Sequence, residues 1–202
     1  MILRPLSLAA LTLAFLPACE PESTSSELET RPALARQTSA LAELVANGGF
    51  SSGSTAPWWN STNNTQSLVE NGMWRLNVTA STANAWDAIA GQSGIALTSG
   101  QSYQLAFTAS ASTSGTLTTT VQMENSPYTA TLNQKVNVDG TARRYTFSFV
   151  SSVGTAQGQV TFQLGGAAAR TVRLDDISLT TSSSPVAMTS GFYVDPNSTV
   201  TA

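Results

Sequence analysis

The sequence predicts an all-β fold: an antiparallel two-sheet β-sandwich of the jelly-roll kind, with disordered N- and C-terminal tails. Three observations predict it. From Glu43 to about Thr180 the chain is a succession of short β-type runs divided by Gly, Ser, Asn and Asp turns. Several runs alternate cleanly, as in Tyr103, Leu105, Phe107 and Ala109, or Leu117, Thr119, Val121 and Met123, or Tyr145, Phe147 and Phe149. No run suggests a helix long enough to cover a parallel sheet, so the strands must bury their apolar faces against one another.

Taken in order, the runs place strands at 43–46, 66–70, 73–79, 86–90, 102–110, 116–123, 129–136, 143–150, 158–164 and 171–179. In the run around GQVTFQLGG (158–166), Val160, Phe162 and Leu164 share a core face, while Gln159, Thr161 and Gln163 share the other. Alternation makes those polar positions a solvated face, the default for any sandwich. Trp74 shares a face with Leu76 and Val78 and is expected in the core. Trp58 and Trp59 point oppositely if extended, so one is expected buried and the other available at a rim.

Composition narrows the function classes. Of 202 residues only 10% are charged, Lys135 is the single lysine, and the net charge is −3. With no basic patch, nucleic acid is not expected as a partner. A surface of hydroxyls and amides suits neutral, hydrogen-bonding ligands. Histidine is absent, which removes the commonest general base and metal ligand. A single cysteine, Cys19, excludes an intramolecular disulfide and a Cys-based zinc site.

The N-terminus accounts for that cysteine. Residues 1–18 read as a signal peptide, with Arg4 as a short positive region and an apolar run from Leu6 to Leu16 too short for a permanent span. Leu16-Pro17-Ala18-Cys19 resembles the lipobox of bacterial lipoproteins, which implies lipidation of Cys19 and a membrane association through that anchor alone. The other reading is a plain secretory signal with an incidental cysteine, and either one exports the chain to the cell surface or beyond. Residues 20–42 read as a flexible tether, 43–180 as the folded module and 181–190 as a second Ser/Thr/Pro linker. Residues 191–202 (GFYVDPNSTVTA) change character, as if the chain were the front of something longer.

The 43–180 region resembles the carbohydrate-binding modules of the family 4/9 group, most of all the family 4 modules of bacterial cellulases. The motifs carrying the resemblance are ELVANGGF (43–50) followed by Trp58, SYQLAFTASAS (102–112), SPYTATL (126–132), GQVTFQLGG and RLDDISL (173–179). The resemblance implies a jelly roll whose concave face holds a single glycan chain, with aromatic rings stacking on sugars and amides binding hydroxyls. The chemistry agrees, because a pyranose offers an apolar C–H face and an equatorial ring of hydroxyls.

On that resemblance Gln159 and Gln163 are groove glutamines, Tyr128 is a stacking tyrosine and Trp86 a groove-edge aromatic. Each has a plainer reading: solvated polar residues, a loop tyrosine on Pro127, a core tryptophan. Relatives carry a further aromatic near Asn60 and Ser61, for which Trp59 is a substitute. Gln122 and Glu124 belong to the row 116–124, which borders the glutamine strand if the family strand order holds. Thr118 and Glu124 replace a basic and an amide residue of relatives, which changes the expected hydrogen-bonding pattern. The paired Asp175 and Asp176 do not suit glycoside hydrolysis, since neighbouring strand residues face opposite ways. The resemblance implies instead that Asp175 helps hold a structural Ca2+, with backbone carbonyls near Gly49 and Gly72. Some family 4 modules carry a disulfide at the positions of Arg75 and Arg173, so here two like charges are expected side by side, separated by Glu70 or Asp176.

The tail resembles the opening of glycoside hydrolase family 6 catalytic domains, whose active-site acids would lie beyond Ala202. The expected function is therefore non-catalytic binding of β-glucan chains by a monomeric module, targeting an attached hydrolase to amorphous cellulose or soluble β-1,4 or mixed-linkage glucan. The alternatives are a surface structural or adhesive sandwich, or a module specific for xylan or β-1,3-glucan.

Overall fold

Alternating apolar residues commit each strand to a core face, and two sheets are needed to cover those faces. The computed structural model describes residues 41–182. In chain order the strands are β1 (Trp59–Asn60), β2 (Thr65–Glu70), β3 (Met73–Val78), β4 (Ile89–Leu97), β5 (Ser102–Ala111), β6 (Gly115–Met123), β7 (Ala130–Val138), β8 (Arg143–Val150), β9 (Thr155–Gln163) and β10 (Arg170–Ser182). They form two five-stranded sheets, ordered β1-β4-β9-β6-β7 and β2-β3-β10-β5-β8. Every pairing is antiparallel. The fold is the predicted all-β sandwich. The expected signal peptide with Cys19, the tether up to residue 40, the linker from residue 183 and the 191–202 segment lie outside the described residues.

The core fills the space between the sheets as the alternation requires. Phe162 of β9 meets Phe107 of β5 edge-on, with ring centroids 5.0 Å apart, and so joins the two layers. Phe50, Trp58 and Trp74 make a second aromatic cluster with centroid separations of 5.5–6.1 Å. Trp74 is fully buried, as expected from its face. Trp58 is the buried member of the tryptophan pair, and its Nε1 donates to the Ala46 carbonyl at 2.8 Å.

Two strand expectations are corrected. Residues 43–46 are not a strand: Glu43 makes a single bridge to Thr180. Leu44 N still donates to Leu179 O at 2.8 Å, but the Glu43 carboxylate takes the neighbouring groups, accepting from Val45 N at 3.2 Å and Leu179 N at 2.8 Å, and Asn47 then turns the chain with φ 53°. The run 86–90 is also not extended throughout. Ala85–Asp87 form a 3-10 turn, because Asp87 reaches back to Asn84 N at 2.9 Å, and β4 starts only at Ile89. The sequence reading missed the short β1 and the length of β4.

Arg75 and Arg173 are direct partners across β3 and β10. Glu70 separates them, lying 3.7 Å from Arg75 Nη1 and 3.3 Å from Arg173 Nη2, so Glu70 rather than Asp176 answers the like-charge contact. Asp176 sits in a bulge of β10 between Asp175 and Ser178 with φ 50°, and it is exposed. Strict alternation would drive its carboxylate into the core. The bulge turns it out and lets Ile177 take the buried position.

Candidate functional site

The polar face of β9 is where the structure departs most from a solvated sheet. Gln159 is only 6% exposed, Gln122 8% and Thr161 0%. The reading of this face as solvated is thereby corrected: loops at both ends of the strands rise above it and make it the floor of a groove. The groove has a volume of about 810 Å³, and its walls and floor include Trp59, Trp86, Gln122, Glu124, Tyr128, Gln159 and Gln163. All the side chains expected to meet a sugar are thus brought together.

The sheet register places the floor. Gln159 pairs with Gln122 of β6 and with Ser93 of β4, while Gln163 pairs with Thr118 and Ile89. The floor therefore crosses the strands as two polar rows. Thr120 donates to Gln122 Oε1 at 2.7 Å and exchanges a 2.6 Å hydrogen bond with Thr161. Ser93 Oγ donates to Gln159 Oε1 at 3.5 Å. Both amide oxygens are held from below, and the amide nitrogens of Gln122 and Gln159 carry no internal partner among the described residues.

Three aromatics frame this floor, each set by its local backbone. Trp59 lies on β1 opposite Gly91, and its Nε1 donates to Ser93 Oγ at 3.0 Å. A Cβ at Gly91 would come within 3.1 Å of the Trp59 ring and 2.4 Å of the Val160 carbonyl, so only glycine leaves room there. Trp86 rides on the 3-10 turn and is 61% exposed, which excludes its core reading. The turn is clamped to the Gly-rich stretch after β9: Gly165 N donates to Ala85 O at 2.9 Å and Gly166 N to Thr82 Oγ1 at 2.8 Å. Tyr128 is 54% exposed and stands in the left-handed region at φ 56°. A bulky residue there is strained unless its surroundings hold it. Tyr128 N donates to Asn125 O at 2.8 Å, and Asn125 is in turn tied to Gln157 at 3.0 Å. Trp86 precedes the start of β4 and Tyr128 follows the end of β6, so they face the floor from opposite strand ends.

Ile89 and Ser93 also line the groove and were missed. Hydropathy assigns Ile89 to a core, and only its register beside Gln163 shows otherwise. Ser93 was legible in principle, since it shares a face with Ile89 and Gly91 by alternation. Asn60 serves as a scaffold, its amide bonding Thr65 O at 2.8 Å and accepting from Ser67 at 2.6 Å.

Asp175 lies away from the groove, on β10. Burial pushes its carboxyl above the usual carboxylate range, and its Oδ1 accepts from Asp176 N at 2.8 Å. Among the described residues no three His, Cys, Asp or Glu side chains cluster as a metal site, so any cation there would depend on main-chain oxygens.

Comparison with known proteins agrees with this geometry. The family model described as "Carbohydrate binding domain", of the 4/9 group, matches residues 42–171. None of the curated proteins matches the chain. Among solved structures, the second N-terminal cellulose-binding domain of Cellulomonas fimi β-1,4-glucanase C is 26% identical with a TM-score of 0.61, covering 73% of this chain and 99% of that one. The N-terminal cellulose-binding domain of the same glucanase is 26% identical with a TM-score of 0.52, covering 63% of this chain and 88% of that one. A structure described as "CBM4 structure and function" shares the fold at 21% identity and a TM-score of 0.60, covering 68% and 99%. With its sandwich, its groove and this match, the chain belongs to the family 4/9 carbohydrate-binding domains.

Proposed function

We propose that the groove binds single β-glucan chains without hydrolysing them. The observation that carries this reading is the meeting of Trp59, Trp86 and Tyr128 with Gln122, Gln159 and Gln163 around one open cleft. Flat rings match the C–H faces of pyranoses, and neutral amides match their hydroxyls without the desolvation cost of charges. The kinship with the Cellulomonas fimi cellulose-binding domains supports amorphous cellulose and soluble β-1,4 or mixed-linkage glucan as the ligand class. The module acts as a monomer, is exported and held at the cell surface by a lipid on Cys19, and raises the local substrate concentration for a family 6 glycoside hydrolase domain that opens with residues 191–202. The coding sequence downstream tests that last point.

Affinity electrophoresis in gels containing hydroxyethylcellulose, barley β-glucan, xylan or laminarin tests the binding reading. Retardation is expected with the first two. A folded protein that migrates freely in all four gels would leave only the structural or adhesive role. Gln163→Ala is expected to weaken retention about 3- to 10-fold, the worth of one or two hydrogen bonds. The same change should leave the thermal midpoint nearly unaltered, since Gln163 makes no internal side-chain bond among the described residues. An unaltered mobility in the glucan gels would return Gln163 to the status of surface filler.

The Asp175 region suits an oxygen-ligated cation. The carboxyl is partly buried, takes part in none of the described ion pairs, and lies one residue beyond the Leu174–Trp74 pair. Gly48 O accepts from Ile177 N at 3.0 Å, which brings the loop bearing Gly49 to the same bulge, while Gly72 lies in the turn just before β3. Asp175 and main-chain oxygens near Gly49 and Gly72 would hold Ca2+, which supplies the missing positive charge. Excess calcium is expected to stabilise the module by about 1–3 kcal/mol over EDTA-treated protein. Asp175→Asn should abolish that difference in a thermal melt, and a wild-type melt indifferent to both calcium and EDTA would remove the ion from the account.

A further inference from the structure

The groove is neutral except at one point. Among the described residues, Glu124 is the single charged one on its lining. It is half-buried, just past the end of β6, and its main-chain N–H donates to Gln157 O at 3.0 Å. Its carboxylate has no hydrogen-bond or ion-pair partner among the described residues. The floor beside it is biased the other way. Gln122 and Gln159 have their amide oxygens engaged by Thr120 and Ser93, so what they offer a ligand is N–H. Apart from Gln163, strong acceptor capacity on the lining is concentrated in Glu124. The nearest candidate counter-charge on this face, Lys135, pairs with Thr118, six residues back along β6 from Glu124. At the rise of a strand that is about 20 Å, more than twice the screening length at physiological salt.

A lone carboxylate on the wall of a neutral cleft has two consequences. It accepts strong hydrogen bonds from hydroxyl donors. It also repels any anion that enters, and does so more than a surface charge would, since part of its surroundings is protein rather than water. We propose that Glu124 is a specificity-determining residue that makes the groove a charge filter: neutral glycan chains are taken, and chains carrying carboxylates are turned away. The excluded class is uronic-acid-bearing and carboxymethyl-substituted polysaccharide. The inference rests on the reading of the groove as a glucan site and adds the feature of the ligand that the site rejects.

Titration calorimetry with hydroxyethylcellulose and carboxymethylcellulose separates these claims, because the two polymers share a backbone and differ in charge. Wild type is expected to bind the carboxymethyl polymer about 3- to 10-fold more weakly in low salt, the effect of two unit charges roughly 6 Å apart beside water. That gap should narrow as NaCl is raised. In Glu124→Gln the gap should shrink below about 2-fold and lose its salt dependence. Asp139→Asn changes the net charge equally at the exposed turn between β7 and β8, and it should behave as wild type. If Glu124→Gln keeps the wild-type gap, or if Asp139→Asn abolishes it equally, the filter is not Glu124 and the proposal fails while glucan binding stands. If folded wild type binds neither polymer, the glucan reading fails and takes the filter with it.

Discussion

Replacing Trp86 with alanine is expected to weaken β-glucan binding about 10- to 30-fold while shifting the thermal midpoint by no more than about 2 °C. The binding loss follows from truncating a large aromatic platform at a ligand-binding cleft, for which about 1.5–2 kcal/mol is typical, at 1.4 kcal/mol per tenfold. The small stability effect follows from exposure: the indole is 61% accessible, so little apolar contact is lost. The turn beneath it is held by main-chain and Asn84–Asp87 contacts that the substitution leaves intact. Calorimetry with soluble β-glucan and a thermal melt on one preparation check both halves. A Trp86→Ala protein that binds normally would show that the exposed indole has another role. Trp59 would be a poorer first choice, because its ring packs over Gly91 and bonds Ser93, so its removal disturbs the floor as well.

The largest stability effect is expected at Phe162. Phe162→Ala should cost about 3–5 kcal/mol, the usual range for emptying a buried phenylalanine site. A domain of this size has roughly 5–15 kcal/mol in total. Phe162 is fully buried, meets Phe107 across the sheet interface and lies 6.3 Å from Trp58, so the void would open between the layers. Its chain neighbour Gln163 lines the groove and Thr161 lies buried on the same face, and binding should fall together with stability. Urea unfolding followed by tryptophan fluorescence measures the loss, and Phe162→Leu should recover most of it. A loss under about 1 kcal/mol for the alanine variant would mean that the layers collapse to refill the site.

These two residues also show what kind of information the chain carries openly. The core role of Phe162 was legible in GQVTFQLGG, because a period of two separates faces whatever the neighbouring strands are. The same holds for Trp74 and for the strands around Tyr103, Leu117 and Tyr145. The opening at 43–46 was misread because its pairing with β10 stops at one bridge and the Glu43 side chain takes up the next backbone N–H groups, a substitution that pattern alone does not register. Trp86 sits in a 3-10 turn because Asp87 reaches back three residues, a contact that competes with extension and wins only through geometry. The groove aromatics and glutamines were picked out by family resemblance, and the cleft brings all of them together.

Alternation, turn composition and the resemblance of the quoted motifs were enough to specify an all-β sandwich and the residues to watch. They were not enough to tell a solvated face from a groove floor, since Gln159 and Thr161 have the same alternation in either case. That distinction depends on what rises over the strand ends: the clamped turn carrying Trp86 and the strained loop carrying Tyr128. It also depends on register, which sets Gln122 beside Gln159 and Ser93 beneath Trp59 although these residues are far apart in the chain. Burial of a polar face is a property of neighbours across a sheet, and those are decided only when the sheets assemble.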